Sequence, residues 1–138
     1  LKEAGLPEIP ELFVSVEELR DRRAQWGFER QGSELVHLLL QRSGRTRPDA
    51  LVTLDDVFAR SMLTELTREG GRLGHDLHFA AHSNSGSPVL HDFRHQIIEL
   101  QVDVNQVAKV LFDRLAVTAS GKTPATPLRI QATPVAGY

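Results

Sequence analysis

Ala50-Leu51-Val52-Thr53-Leu54-Asp55-Asp56-Val57-Phe58-Ala59-Arg60-Ser61-Met62-Leu63-Thr64-Glu65-Leu66-Thr67-Arg68-Glu69-Gly70-Gly71 is the stretch that decides the architecture. It opens on a continuous apolar run, Ala50 to Leu54, of the kind seen in strands buried on both faces. Two acids follow, either of which can cap a helix start. Phe58, Met62 and Leu66 then recur every four residues with Ala59 and Leu63 alongside, the apolar face of an α-helix. Gly70-Gly71 ends that helix. A second apolar run, Leu77-His78-Phe79-Ala80-Ala81, comes next, so the segment reads strand, helix, strand.

The same grammar extends in both directions. Upstream, Leu12-Phe13-Val14-Ser15-Val16 reads as a strand. Ala24, Phe28, Leu35, Leu38 and Leu39 share a helical face with Gly44 just past its end. Gly27 and Gly32 each weaken that helix by about 1 kcal/mol relative to Ala, which implies close packing on a sheet or a later start. Downstream, Ile97 to Val102 and Leu128 to Ala132 are further strand candidates. Val104, Val107, Ala108, Leu111 and Leu115 form a third helical stripe, opened by Asp103 with Gln106 three residues later, a variant capping box. Alternating strands and helices with short connections predict an α/β fold built on a parallel sheet with right-handed crossovers.

Composition narrows the functional classes. The chain has 138 residues, enough for one domain, and its 41% hydrophobic and 25% charged content is that of an ordinary globular protein. A formal net charge of -2 gives no electrostatic footprint for nucleic acid, despite 13 Arg against 3 Lys. The arginines between Arg20 and Arg47 are interleaved with acids, as on a solvated helix face. No cysteine is present, which removes disulfides, thiol nucleophiles and Cys-ligated zinc. The longest apolar runs fall far short of a membrane span, and no signal-peptide pattern opens the chain, so a cytoplasmic location is expected.

Open α/β sheets bind ligands beyond the carboxyl ends of their strands. That rule selects Glu17 to Arg22, Asp55-Asp56, and His82-Ser83-Asn84-Ser85-Gly86-Ser87-Pro88, all on one rim. These groups offer carboxylates, hydroxyls, an amide and guanidinium groups, suited to a polyol or sugar. Each has a plainer reading beside it: Asp55 as a routine helix cap, Ser83 to Pro88 as a polar turn, Arg20 and Arg22 as surface charges. Catalytic templates are missing. There is no G-x-S-x-G elbow, and Gly121-Lys122-Thr123 lacks the leading glycine of a phosphate loop and follows a helix. His75, His78 and His82, and the pair His91 and His95, have helical ligand spacing, but His78 and His82 read as strand residues, too far apart to share a metal. No cofactor, metal or catalytic residue is expected.

The order of motifs resembles the lactose-repressor-type (LacI) family of regulators. Arg47 to Ala59 is similar to that family's "RPdAvf-x-x-ND-x-x-A" segment, and Leu66 to Leu77 to its "L-x-x-x-G-x-x-x-G-x-D-(I/V)" passage. Ile97 to Asp103 resembles the "LTTI-x-Q-D" crossing segment, Ala24 to Phe28 the start of a sensor-domain helix, and Ala4-Gly5-Leu6-Pro7 the "AGL-P" approach to a strand. The resemblance implies a periplasmic-binding-protein-like sensor of two α/β lobes. Residues 1–138 would form its C-terminal, three-layer lobe, with the N-terminal lobe and DNA-binding domain lying outside this chain.

By the same resemblance, Asp55 occupies an effector-contacting position, Ser83 and Asn84 stand where acids or amides are common, and Arg22 lies in a loop that often presents an aromatic to the ligand. Ser83 in place of an acid removes a charged acceptor, and Arg22 in place of an aromatic suits an acidic ligand. The implied function is an effector-sensing, dimerising and non-catalytic lobe of a transcriptional regulator. Its ligand would be a carbohydrate or related small molecule, it would meet DNA only through the absent domain, and it would have no membrane contact. Helix Asp56 to Glu69 and segment Ser85 to Leu90 would pair the protomers. In this chain taken alone, the stripe of Val104 to Ala116 is expected to pack on its own sheet or on a neighbouring chain. A sugar-binding transport protein of the same fold and a small α/β enzyme using Asp55 with a nearby histidine are the alternatives.

Overall fold

The computed structural model describes residues 27–41, 48–123 and 129–137. The predicted strand Leu12 to Val16, Gly44 and Arg22 lie outside them. Helix α1 (Phe28–Leu40) is followed by strand β1 (Ala50–Thr53), helix α2 (Asp56–Arg68) and strand β2 (His78–Asn84). A 3₁₀ turn (His91–Phe93), strand β3 (Ile98–Val102), helix α3 (Val104–Ala119) and strand β4 (Thr133–Ala136) complete the order. The sheet runs β1-β2-β3-β4. β1 pairs with β2, and β2 with β3, in parallel; β4 pairs antiparallel with β3, Glu99 facing Val135 and Leu100 facing Pro134.

The helix of the deciding stretch is bounded as read. Asp55 caps α2, its Oδ1 accepting the Phe58 N–H at 2.7 Å. At the other end Gly70 takes φ +79, and the N–H groups of Gly70 and Gly71 return to the carbonyls of Thr67 and Leu66. This paired closure uses a left-handed residue that glycine adopts without steric cost. Leu35, Val36 and Leu39 from α1, with Ala59, Met62, Leu63 and Leu66 from α2, form the core with Phe79 and Ala81 of β2, Leu90 and Ile97.

Gly32 explains how the two helices come so close. A Cβ there would stand 2.6 Å from Ser61 Oγ and 3.0 Å from the Phe58 carbonyl oxygen. The close packing expected at this glycine is therefore against a helix rather than the sheet. Gly27 is the N-cap of α1, so the helix begins after it.

Three expectations change. The apolar runs at β1 and β2 are not buried on both faces: Val52 and Leu54 are exposed, and β2 alternates, with Phe79, Ala81 and Ser83 buried and His78, Ala80, His82 and Asn84 less so. The core helices α1 and α2 meet one face of the sheet, which imposes the period of two. The last strand among the described residues is Thr133–Ala136, and it is antiparallel; of the predicted strand Leu128 to Ala132, Leu128 lies outside the described residues and the other four are not in a strand. Finally, α3 buries none of its residues, leaving Leu111, Phe112 and Leu115 exposed, so its stripe does not pack on its own sheet.

Candidate functional site at the carboxyl rim of the sheet

β1, β2 and β3 are adjacent and parallel, so their carboxyl ends share one rim. β1 is followed by Asp55 and Asp56, β2 ends at Asn84, and β3 is followed by Asp103. Both α2 and α3 begin at this rim, each behind an aspartate cap. Asp103 accepts the N–H groups of Asn105 and Gln106 at 2.9 and 3.4 Å. Asp55 and Asn84 are exposed. One Asp55 oxygen is spent on the cap, which is its plainer role. Asp56 is half-buried and accepts the Ser87 hydroxyl at 2.9 Å, fastening the start of α2 to the turn after β2. That turn closes at Gly86, φ +81, with the Ser87 N–H on the Asn84 carbonyl.

Ser83 sits differently from Asn84. It is 1% exposed and lies inside β2, its hydroxyl donating to Glu99 Oε2 at 2.9 Å. Glu99 is the centre of the arrangement. Its Oε2 also accepts from Gln101 Nε2 at 3.1 Å, and its Oε1 takes Arg94 Nε at 3.0 Å. Arg94 reaches on with a second nitrogen to the Ser87 carbonyl oxygen at 3.0 Å. Ser83, Glu99, Gln101, Arg94, Ser87 and Asp56 are thus one connected polar network beneath the rim. It joins β2, β3, the loop between them and the start of α2. Sequence reading missed Glu99, Gln101 and Arg94. The available signal was a single acid inside the apolar run Ile97-Ile98-Glu99-Leu100, since a buried charge requires a partner.

Thr53, the last residue of β1, was also missed. It is buried, and among the described residues its hydroxyl has no hydrogen-bond partner. The rim presents acceptors, carboxylate and amide, at three neighbouring strand ends, with the Glu99 network beneath it. Such a surface recognises hydroxyl or ammonium donors. His78 and His82 are on β2, and the 3₁₀ turn at His91–Phe93 stops short of His95.

A cavity of about 180 Å³ lies at the opposite, amino end of the strands, lined mainly by apolar side chains of α1, α2, Pro48, Leu51 and Leu77. It is not part of the rim. Among the described residues no helix is long and apolar enough to cross a membrane.

No protein-family model matches the chain, and no curated protein matches it. Among solved structures it is similar to a regulatory protein of the LacI family from Chloroflexus aggregans, with a TM-score of 0.64 and 18% sequence identity. The match covers 95% of this chain and 44% of that one, so the chain spans less than half the length of the protein it resembles. The likeness shows the fold: an α/β lobe of periplasmic-binding-protein-like kind, its mostly parallel four-stranded sheet flanked by helices, similar to part of a LacI-family regulatory protein.

Proposed function

We propose that this chain is the effector-sensing and dimerising lobe of a cytoplasmic transcriptional regulator, without catalytic activity, and that its effector is a carbohydrate or related small molecule. The observation that carries the reading is the set of acceptors Asp55, Asn84 and Asp103 at three adjacent strand ends, on a fold similar to a LacI-family regulatory protein. Asp55 and Asn84 contact the effector. Ser83 holds the rim in place through Glu99, and Arg22, outside the described residues, is the remaining effector contact. The exposed side of α2 with the segment Ser85 to Leu90 pairs two copies, and the apolar stripe of α3 meets the remainder of the sensor. Effector binding biases the relation between paired lobes and, through it, a DNA-binding domain elsewhere in the full protein; the ligand shifts populations only as far as its affinities for the two arrangements differ.

The test is DNA retardation by the full-length protein on its own upstream sequence, with and without a panel of sugars. One sugar is expected to alter retardation. Asp55→Ser keeps a capping oxygen while removing the carboxylate, and this variant is expected to bind DNA but lose the sugar response. Unchanged retardation across the panel, or an unchanged response in Asp55→Ser, contradicts the assignment. Absence of DNA binding together with a sugar-dependent rise in Tm favours a transport-type binding protein.

A further inference from the structure

Where α1 packs against α2, three side chains with metal-ligating atoms converge. His37 comes from the last turn of α1, Glu65 from α2, and Glu69 is the C-cap of α2, four residues further on. One imidazole nitrogen and two carboxylate oxygens lie within 4.8 Å of one another. His37 Nε2 is already 3.1 Å from Glu65 Oε1. Glu65 is buried, His37 is half-buried and Glu69 is exposed, so the cluster is anchored inside and open outside.

Among the described residues, Arg68 is the cation paired with these carboxylates besides His37. Both carboxylates stand at the end of α2, where the helix's own carbonyls already carry partial negative charge. Arg68 supplies one guanidinium, 2.8 Å from Glu65 Oε1, on a side chain that is 70% exposed. The arginine end of that pair faces solvent while Glu65 is 6% exposed, so Arg68 can swing outward to admit a divalent cation.

We propose that His37, Glu65 and Glu69 bind a first-row divalent cation of the zinc type. An imidazole among the donors selects zinc and its neighbours over Mg²⁺ and Ca²⁺, which take oxygen ligands. Donors around tetrahedral zinc stand about 3.4 Å apart, so Glu69 swings inward to close the site. The bound ion cross-links α1 to α2, with a water completing its coordination.

The experiment is thermal unfolding of the full chain, first stripped by a chelator, in increasing zinc sulfate with magnesium sulfate as the control. Zinc raises Tm in a concentration-dependent way and magnesium does not. His37→Ala and Glu69→Gln remove ligands without emptying the core, and each weakens the apparent zinc affinity by at least about tenfold. Arg68→Ala removes the competing cation and tightens it. No rise in Tm up to millimolar zinc, or a full rise retained in both ligand variants through other histidines, overturns the proposal.

Discussion

Ser83 and Glu99 meet across neighbouring parallel strands, hydroxyl to carboxylate at 2.9 Å, with Ser83 1% and Glu99 2% exposed. A carboxylate so enclosed is tolerated because its donors are complete: Ser83, Gln101 and Arg94 between them serve both oxygens. Arg94→Ala removes the one cation from that set and leaves a buried charge uncompensated. Breaking such a pair costs about 3–5 kcal/mol when both partners are buried. Arg94 is itself 36% exposed, so a loss near or below the lower end of that range is expected. Urea unfolding of Arg94→Ala beside Ser83→Ala checks this, because the serine variant leaves the ion pair whole and is expected to lose only about 1 kcal/mol.

Gly32→Ala puts a methyl group where Ser61 Oγ and the Phe58 carbonyl already stand. Helix propensity favours alanine by about 1 kcal/mol, but overpacking costs about 1–3 kcal/mol, so a net destabilisation is expected. Removing the Ser61 side chain in Gly32→Ala/Ser61→Gly restores part of the gap, and the four variants together form a double-mutant cycle. Strict additivity in denaturant melts would contradict the contact.

Thr53→Val exchanges a buried hydroxyl, unpartnered among the described residues, for a methyl group in a strand. The hydroxyl was desolvated without return, and valine suits a strand, so the variant is expected to be more stable by about 1 kcal/mol. A lower Tm would show that this hydroxyl has a partner.

The Asp76 carboxylate is held well below the usual carboxylate range, first by its hydrogen bonds with Arg72 and then by that with His75. Its native pKa is depressed, so the contribution is fully present above the ordinary Asp range and is lost as pH falls through the lowered native value. Asp76→Asn is expected to leave stability at neutral pH little changed, the pair being exposed. It should flatten the fall in Tm below about pH 4, where an ordinary Asp titrates. Parallel acid slopes for the two proteins would refute this.

Phe112 on α3 is 71% exposed. Phe112→Ser is expected to change the unfolding free energy of this lobe by no more than about 0.5 kcal/mol, the range of ordinary surface substitutions. A loss of 2 kcal/mol or more, about the value of a buried aromatic, would mean that α3 is covered within the chain.

Local signals were legible wherever one short segment carried the whole instruction. Asp55 before an apolar period of four, and Gly70-Gly71 after it, gave α2 both its ends; Asp103 did the same for the start of α3. Asp55 and Asn84 were correctly placed at strand ends by the topology rule. What stayed hidden depends on partners distant in sequence. Ser83 read as part of a polar turn because only pairing with β3 reveals that Glu99 lies beside it. Glu99 read as one letter in a strand because its donors sit two, five and sixteen residues away. The run Leu128 to Ala132 has the better strand composition, yet register placed Thr133–Ala136 against β3. Which face of β1 and β2 would be buried was set by where α1 and α2 pack, and no residue within those strands announces it.

β4 bounds the described sheet on one side, with all four of its residues exposed and Pro134 among them. A proline nitrogen has no hydrogen to give, so the row of backbone donors that another extended chain would need is interrupted at its second position. The border formed by β4 is in this sense self-limiting: Pro134 discourages growth of the sheet past it into a fibre or a swapped assembly, and at this border copies of the lobe are left to associate through side chains rather than through backbone.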